Sequence, residues 1–555
     1  MHRTPLDSRR QTPVSLETLQ FHDPPAEGPP VSFPNCAGVV HRQGQSSQTP
    51  VFPSNLLEPN STGHRQIPKR GSSRYHRQPA PVGSRTRRRF REKALDFFGV
   101  SEMSIGHGIM GVIVGGGPAP GINGVIGAAA IEASNNGLKV LGFYDGFTHL
   151  AGASFDPAKH VKELHIKEMG RIHFDGGSIL RTARTNLLNK NRLATSTIVE
   201  PDQERTARVG ERLRSLGVTH LLTIGGDDTA LSARFVAEYF HGQIRVVHVP
   251  KTIDNDLPLP GDIPTFGFMT AKHLGTGIVA NLMEDSRTTS RWYIVVTMGR
   301  NAGFLALGIG KSAGATLTLI PEEFPESTTV SAIADVIECA MLKRRAMGRP
   351  DGVAVLAEGL AYRLGDRDEL SRLLGRPVPV DAAGHPRLAE VPLGQILKDE
   401  LQRRFSERGD KTTIINHTLG YELRCARPTT SDLGYTRDLG HGGVRLLLEQ
   451  SRELPPGVMV TIQNGNLVPV PFAELIDPRT NRTRIRQVDL NSYSYSVARA
   501  YMIRTECADL DSSDRLQAIA REAGMTPEDF RQRYGPAIRA THHGDRGIVC
   551  VSRAG

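Results

Sequence analysis

Two acidic clusters, each placed where a short apolar run breaks at glycine or proline, dominate the chemistry this sequence could do. Gly225-Gly226-Asp227-Asp228-Thr229 follows an apolar run at 220–224, and Pro250-Lys251-Thr252-Ile253-Asp254-Asn255-Asp256 follows another at 245–249. A carboxylate at a strand-to-helix junction can hold Mg²⁺ while neighbouring amides hold phosphate oxygens, because Mg²⁺ favours one or two carboxylates plus substrate phosphates. A third junction, Gly115-Gly116-Gly117-Pro118-Ala119-Pro120-Gly121, carries no acid. Its glycines let backbone amides approach an anion at a helix start, where the dipole also favours phosphate. Met298-Gly299-Arg300 and Glu358-Gly359 end two further runs. A tight turn accounts for any one of these clusters. Together they describe a site for phosphate and a cation.

Two other glycine motifs fail on position. Gly106-His107-Gly108-Ile109-Met110-Gly111 has the letters of a dinucleotide fingerprint, but it enters a strand where the fingerprint must leave one. Gly310-Lys311-Ser312 has the end of a Walker loop, yet Leu305 stands where the opening glycine belongs.

The elements that must carry the clusters are short. Runs at 109–114, 140–144, 220–224, 245–249, 292–296 and 353–356 read as buried strands. The stretches 122–135, 229–240 and 326–343 read as helices between them. Such alternation predicts an α/β fold of two Rossmann-like αβα domains with mostly parallel sheets. An open sheet of this kind takes its ligand at the C-terminal ends of its strands, where all five clusters fall. The expected divisions are a tail at 1–95, a first αβα domain at 106–314 and a second at 315–430. Residues 431–507 return to the first domain, and 508–555 form a partly helical extension opening near Thr526-Pro527.

Composition narrows the function classes. The chain has 555 residues and a formal charge of +10. Residues 1–90 hold 13 Lys and Arg against 5 Asp and Glu, so that tail carries +8 and the body only +2. A near-neutral body has no electrostatic footprint for nucleic acid. The tail also holds 13 of the 36 prolines, a composition that predicts disorder. No apolar run reaches the roughly 18 residues of a membrane span. Five scattered cysteines without a CxxC pair suit a reducing, cytoplasmic setting.

The sequence resembles the phosphofructokinases. The resemblance rests on GGGPAPG at 115–121, GGSILRTAR at 176–184, GGDDT at 225–229, PKTIDND at 250–256, TSRWYIVVTMGR at 289–300, EG at 358–359 and LGYELR at 419–424. These stand in the family's order across about residues 106–505. ATP-using members have glycine at the positions of Asp228 and Lys251, whereas pyrophosphate-using members have Asp and Lys, as here. The physics agrees. A carboxylate at Asp228 repels the α-phosphate of ATP and fills its space, while the Lys251 ammonium neutralises a pyrophosphate leaving group.

The resemblance implies phosphoryl transfer from pyrophosphate to the 1-hydroxyl of fructose 6-phosphate, with Mg²⁺ as cofactor. It implies Asp254 as general base, Asp227 as metal ligand, and Asp228, Lys251 and Arg184 around the transferring group. Gly116 and Gly226 would contact pyrophosphate with Lys251. Thr252, Ile253, Met298, Gly299, Arg300 and Glu358 would contact the sugar, and Tyr421, Glu422, Leu423 and Arg424 its 6-phosphate end. Arg291 would reach the site of a neighbouring subunit in a homodimer or homotetramer, with no nucleic-acid or membrane partner. Asp228 and Lys251 are expected to lie close enough to interact. Pro118 and Cys425-Ala426-Arg427 depart from ATP-using relatives. An ATP-dependent enzyme of the same fold, a NAD-kinase-like enzyme and a non-catalytic subunit are the alternatives. The second shares a GGD turn but leaves Met298-Gly299-Arg300, Arg291 and Arg424 unexplained, and the third predicts a lost Asp254 or Asp227, both of which are present.

Overall fold

The structure is a computed structural model, and it describes residues 108–189, 198–365, 367–378, 391–449 and 454–541. The tail expected at 1–95 lies outside the described residues. All described residues belong to one compact unit, 94–555.

Strands β1 (Ile109–Val114), β2 (Lys139–Phe143), β3 (Val161–Glu163), β4 (Val218–Gly225), β5 (Arg245–Thr252) and β6 (Phe266–Gly267) form most of a first, eight-stranded sheet. A second sheet has four strands, β7 (Trp292–Thr297), β8 (Leu317–Leu319), β9 (Gly352–Ala357) and β10 (Ile414–Leu419), in the order β10-β7-β9-β8, all parallel. Strands β11 (Gly457–Gln463) and β12 (Asn466–Pro471) then join the first sheet beside β5, completing the order β12-β11-β5-β4-β1-β2-β3 with β6 paired to β5. The chain therefore enters the second sheet at Trp292, upstream of the boundary expected at 314/315. The run 292–296 looks in sequence like every other buried strand, and only its pairing with β9 and β10 assigns it.

Both faces of each sheet are covered, which is why the strands read as continuous apolar runs instead of alternating ones. On the first sheet Ile113, Leu221, Val246 and Met459 pack one way, against helix α2 (Asp227–Phe240). Val112, Leu222, Val247 and Val458 pack the other way, against α1 (Ile122–Asn135) and α7 (Thr430–Leu448). On the second sheet Tyr293, Val295 and Val355 meet α3 (Phe268–Thr289) and α4 (Phe304–Ala313). Trp292, Ile294 and Leu356 meet α5 (Val330–Ala346) and α6 (Leu393–Glu407).

The helix expected over 326–343 starts at Val330 instead, because the Thr329 side chain accepts the Ala332 amide at 3.0 Å and fixes the first turn. The C-terminal segment is helical: α8 (Cys507–Asp511), α9 (Ser513–Glu522) and α10 (Pro527–Ala540). Leu516, Ile519, Phe530 and Tyr534 on these helices are buried in the core beneath α5. Thr526 caps α10 by accepting the Asp529 amide at 3.1 Å, with Pro527 at the first helical position.

Candidate active site

The C-terminal ends of β1, β4 and β5 open into one cleft. The three turns are tied to one another. The Gly115 amide donates to Ile224 O at 2.8 Å and the Gly116 amide to Ala183 O at 2.9 Å. Gly116 has φ +83°, a left-handed conformation that favours glycine, and a Cβ there would stand 3.2 Å from Lys251 Nζ. His248, fully buried on β5, donates from Nε2 to Gly225 O at 3.1 Å and accepts from Thr223 Oγ1 at 2.9 Å. Burial first of all depresses its pKa to about 3, so it is a neutral wedge beneath the Gly225-Gly226-Asp227 turn.

Strand β5 runs to Thr252, three residues past its expected end, because Lys251 and Thr252 pair with β6. This buries Lys251 to 4% exposure and points its ammonium at Gly117 O, to which it donates. Burial, then repulsion from Arg424, lowers its pKa to about 8 against the pull of Asp254, Asp227 and Asp256. Beyond the strand, Asn255 takes a left-handed φ of 59°. Its side chain turns inward, accepting the Thr265 amide at 2.9 Å and Arg486 Nη2 at 2.5 Å. Asp254 and Asp256, on either side, are left lining the cleft. Burial, then the charge of Glu358, pushes Asp254 up to about 6. Burial, then Asp254 and Asp227, pushes Asp256 up to about 7.

Of the residues singled out from sequence, Gly116, Arg184, Gly226, Asp227, Asp228, Lys251, Thr252, Ile253, Asp254, Arg300 and Arg424 line this cleft. Glu358 lies beside it, with the charges of Arg300, Arg424 and Arg184 acting on its carboxyl. Met298 and Gly299 form the turn after β7, where Met298 N donates to Leu419 O at 3.1 Å and Gly299 O accepts from Gly359 at 3.1 Å. Arg424 reaches further than a sugar-end clamp, since a Cβ on Gly117 would lie 3.2 Å from its Nη2. Tyr421 is 79% exposed with the Arg424 guanidinium over its ring, and Glu422 accepts the Gly420 amide of its own turn at 3.1 Å. The Leu423 side chain is buried in the core.

Arg291 is not in this cleft. It stands just before β7, at the end opposite the Met298 turn, and six strand residues separate the two by about 20 Å.

One expectation is corrected. Asp228 does not pair with Lys251: its Oδ2 accepts Asn186 Nδ2 at 3.2 Å, while the lysine is spent on Gly117 O. Sequence reasoning also gave no role to Asp256 or Asn186. The i, i+2 spacing with Asp254 was a signal for the first, and nothing local marks the second.

Asp227, Asp228, Asp254 and Asp256 crowd one cleft, and mutual repulsion is among the causes raising Asp228, Asp254's neighbour Asp256 and, through Glu358, Asp254 itself. Among the described residues no three His, Cys, Asp or Glu groups form a metal cage. This set fits a cation that brings most of its ligands with a phosphate substrate.

The sequence matches the family description Phosphofructokinase over residues 109–447. It is 51% identical over 425 residues to a pyrophosphate–fructose 6-phosphate 1-phosphotransferase of Thermotoga maritima, covering 77% of this chain and 97% of that one. A protein of the same name from Naegleria fowleri is 48% identical over 433 residues, covering 77% and 94%. Among solved structures, a pyrophosphate-dependent phosphofructokinase of Marinobacter aquaeolei aligns with TM-score 0.52 at 15% identity, over 78% of this chain and 91% of that one. The Pichia pastoris phosphofructokinase aligns with TM-score 0.51 at 20% identity over 79% of this chain, which spans only 39% of that longer one. At such identities the two structures bear on the fold alone.

Proposed function

The chain belongs to the phosphofructokinase family, and we propose that it transfers a phosphoryl group from pyrophosphate to the 1-hydroxyl of fructose 6-phosphate, giving fructose 1,6-bisphosphate and phosphate. The observation that carries the donor choice is the setting of Lys251 and Asp228. The lysine is sunk against the phosphate loop, and the carboxylate stands at the first turn of α2 in the same cleft.

Phosphoryl transfer asks the protein to align nucleophile and donor and to neutralise spreading charge. Asp254 takes the proton of the sugar hydroxyl. A carboxyl held near 6 is ionised at neutral pH yet a stronger base than an ordinary aspartate, which suits general-base work. Lys251, still an ammonium at pH 7, and Arg184 hold the departing phosphate. Gly226 offers its backbone amide to the donor; the Gly116 amide is already given to Ala183 O, so Gly116 serves the donor by shaping the loop and not by the amide contact expected from sequence. Asp227 would hold Mg²⁺, which when bound offsets the charge of the phosphoryl oxygens. Arg300 lines the cleft with the carboxylates Asp227, Asp228 and Asp254 acting on it, and orients the reacting end of the sugar. Glu358 and the Met298-Gly299 turn border the sugar, and Arg424 bridges the 6-phosphate end and the phosphate loop.

The position of Arg291 supports a site shared between subunits. At the far end of β7 it cannot serve its own cleft, so a homodimer or homotetramer completes it. Among the described residues no helix is long and apolar enough to cross a membrane, in keeping with a cytoplasmic enzyme. The test is a donor comparison with purified protein, fructose 6-phosphate and Mg²⁺. Turnover with pyrophosphate well above that with ATP is expected, and a preference for ATP refutes the reading.

A further inference from the structure

Asn186 lines the donor side of the cleft and makes one polar contact there, from Nδ2 to Asp228 Oδ2 at 3.2 Å. Its Oδ1 is buried with no partner among the described residues. The amide cannot turn over to relieve this, because its oxygen would then face a carboxylate. A buried acceptor left unmet is unfavourable, so the position keeps an amide for the sake of its nitrogen end.

The backbone around Asn186 is fixed independently of that contact. Upstream, Thr182 Oγ1 donates to Gly116 O at 2.8 Å and Ala183 O accepts the Gly116 amide at 2.9 Å. Downstream, the Leu187 amide donates to Ser232 Oγ at 3.1 Å, and Ser232 Oγ donates to Asp228 O at 2.8 Å. The segment 182–187 is thus a strap from the phosphate loop to the first turn of α2. Its two anchored ends place the amide against the Asp228 side chain. Asp228 needs such a restraint. It opens to the cleft, it makes no ion pair among the described residues, and the opposing charges acting on it are those of Arg300 and Arg482. Without a hydrogen-bond holder the carboxylate would be left to the pull of these charges.

Building on the pyrophosphate reading, we propose that Asn186 is a specificity-determining positioning residue: its amide holds the Asp228 carboxylate across the place where the α-phosphate of a nucleotide would sit. The donor filter is then the Asn186–Asp228 pair, and the carboxylate is one half of it. Lys251 belongs to a separate element, the lysine and the Gly117 carbonyl.

The test is a double-mutant cycle read on both donors. Asn186→Leu, which keeps volume and removes the amide, is made in the parent and in Asp228→Gly. Values of kcat/KM are measured with pyrophosphate and with ATP at one Mg²⁺ concentration. In the parent background the change is expected to lower pyrophosphate kcat/KM about tenfold and to narrow the pyrophosphate-to-ATP ratio by a similar factor. In the Asp228→Gly background it should alter either value by less than about threefold, since nothing is left to hold. Asn186→Ser, smaller and lacking the reach of the amide, should behave in the same way and serves if the leucine variant does not fold. Equal losses in both backgrounds would mean that Asn186 acts on the ligand itself, and no loss in the parent would mean that Asp228 needs no holder; either overturns the proposal. A parent enzyme that prefers ATP overturns the donor reading first, and is told apart by the unmutated protein alone.

Discussion

Replacing Lys251 by Met tests the charge arithmetic of the cleft. The side chain keeps its length and its apolar packing along β5 but loses the ammonium that rests on Gly117 O. A phosphate oxygen on this loop would come about 4 Å from that nitrogen, where two unit charges interact by about 4 kcal/mol at an effective dielectric of 20. Arg184, Arg300 and Arg424 line the same cleft and recover part of this. A charged hydrogen bond alone contributes about 1.5–3 kcal/mol. The expected loss is therefore about 10²–10³-fold in pyrophosphate kcat/KM, or about 2.7–4.1 kcal/mol, with a much smaller change in KM for the sugar phosphate. The pH profile gives a second, independent reading. Lys251 has a pKa of about 8 in the free protein, so above that pH it sheds the proton that makes it useful. Since kcat/KM reports the free enzyme, the parent should lose activity as pH rises through about 8, and Lys251→Met should lack that limb. Initial rates from pH 5.5 to 9.5 at fixed free Mg²⁺ decide the matter. Activity within about tenfold of the parent, or an alkaline limb that survives the substitution, refutes the argument.

Asp254→Ala should lower kcat by at least about 10²-fold while fructose 6-phosphate still binds, since general-base catalysis typically contributes 10²–10⁴-fold. The parent's activity should rise through about pH 6, the pKa of Asp254, which must be unprotonated to accept a proton; binding calorimetry on the variant and the acid limb of the parent check both points. Arg291→Ala should raise KM for the sugar phosphate more than it lowers kcat. Mixing it with Asp254→Ala should restore turnover once subunits have exchanged, because one cleft then has an intact base and an intact arginine from different chains. His248 is held near pKa 3 against about 6.5 unfolded, so the unfolded chain binds the extra proton and stability falls as pH drops below about 6.5. That amounts to about 2 kcal/mol at pH 5, and His248→Gln should lose less stability than the parent between pH 7 and pH 5 in urea unfolding.

What could be read from the sequence is what depends on local backbone requirements. Gly115-Gly116-Gly117, Gly225-Gly226-Asp227 and Pro250 to Asp256 each mark a strand ending in a turn, and the residue types within a turn declare whether it meets an anion, a cation or a proton. Strand ends on one parallel sheet converge by topology, so clusters far apart in number could be assigned to one cleft before any coordinates. Asp228 and Lys251 stood out in the same way, as residue types at motif positions. Their partners were not. Lys251 contacts a carbonyl 134 positions away and Asp228 an amide 42 positions away. Both choices follow from how far β5 continues beside β6 and where the strap at 182–187 lands on α2. The same holds for β7, whose apolar run is equally suited to either sheet, and for α9 and α10, whose apolar faces carry no mark of the core they close. Burial decided the rest. Asp254 near 6, Lys251 near 8 and His248 near 3 are properties of the walls and charges that surround them, which exist only once strands distant in sequence are packed together.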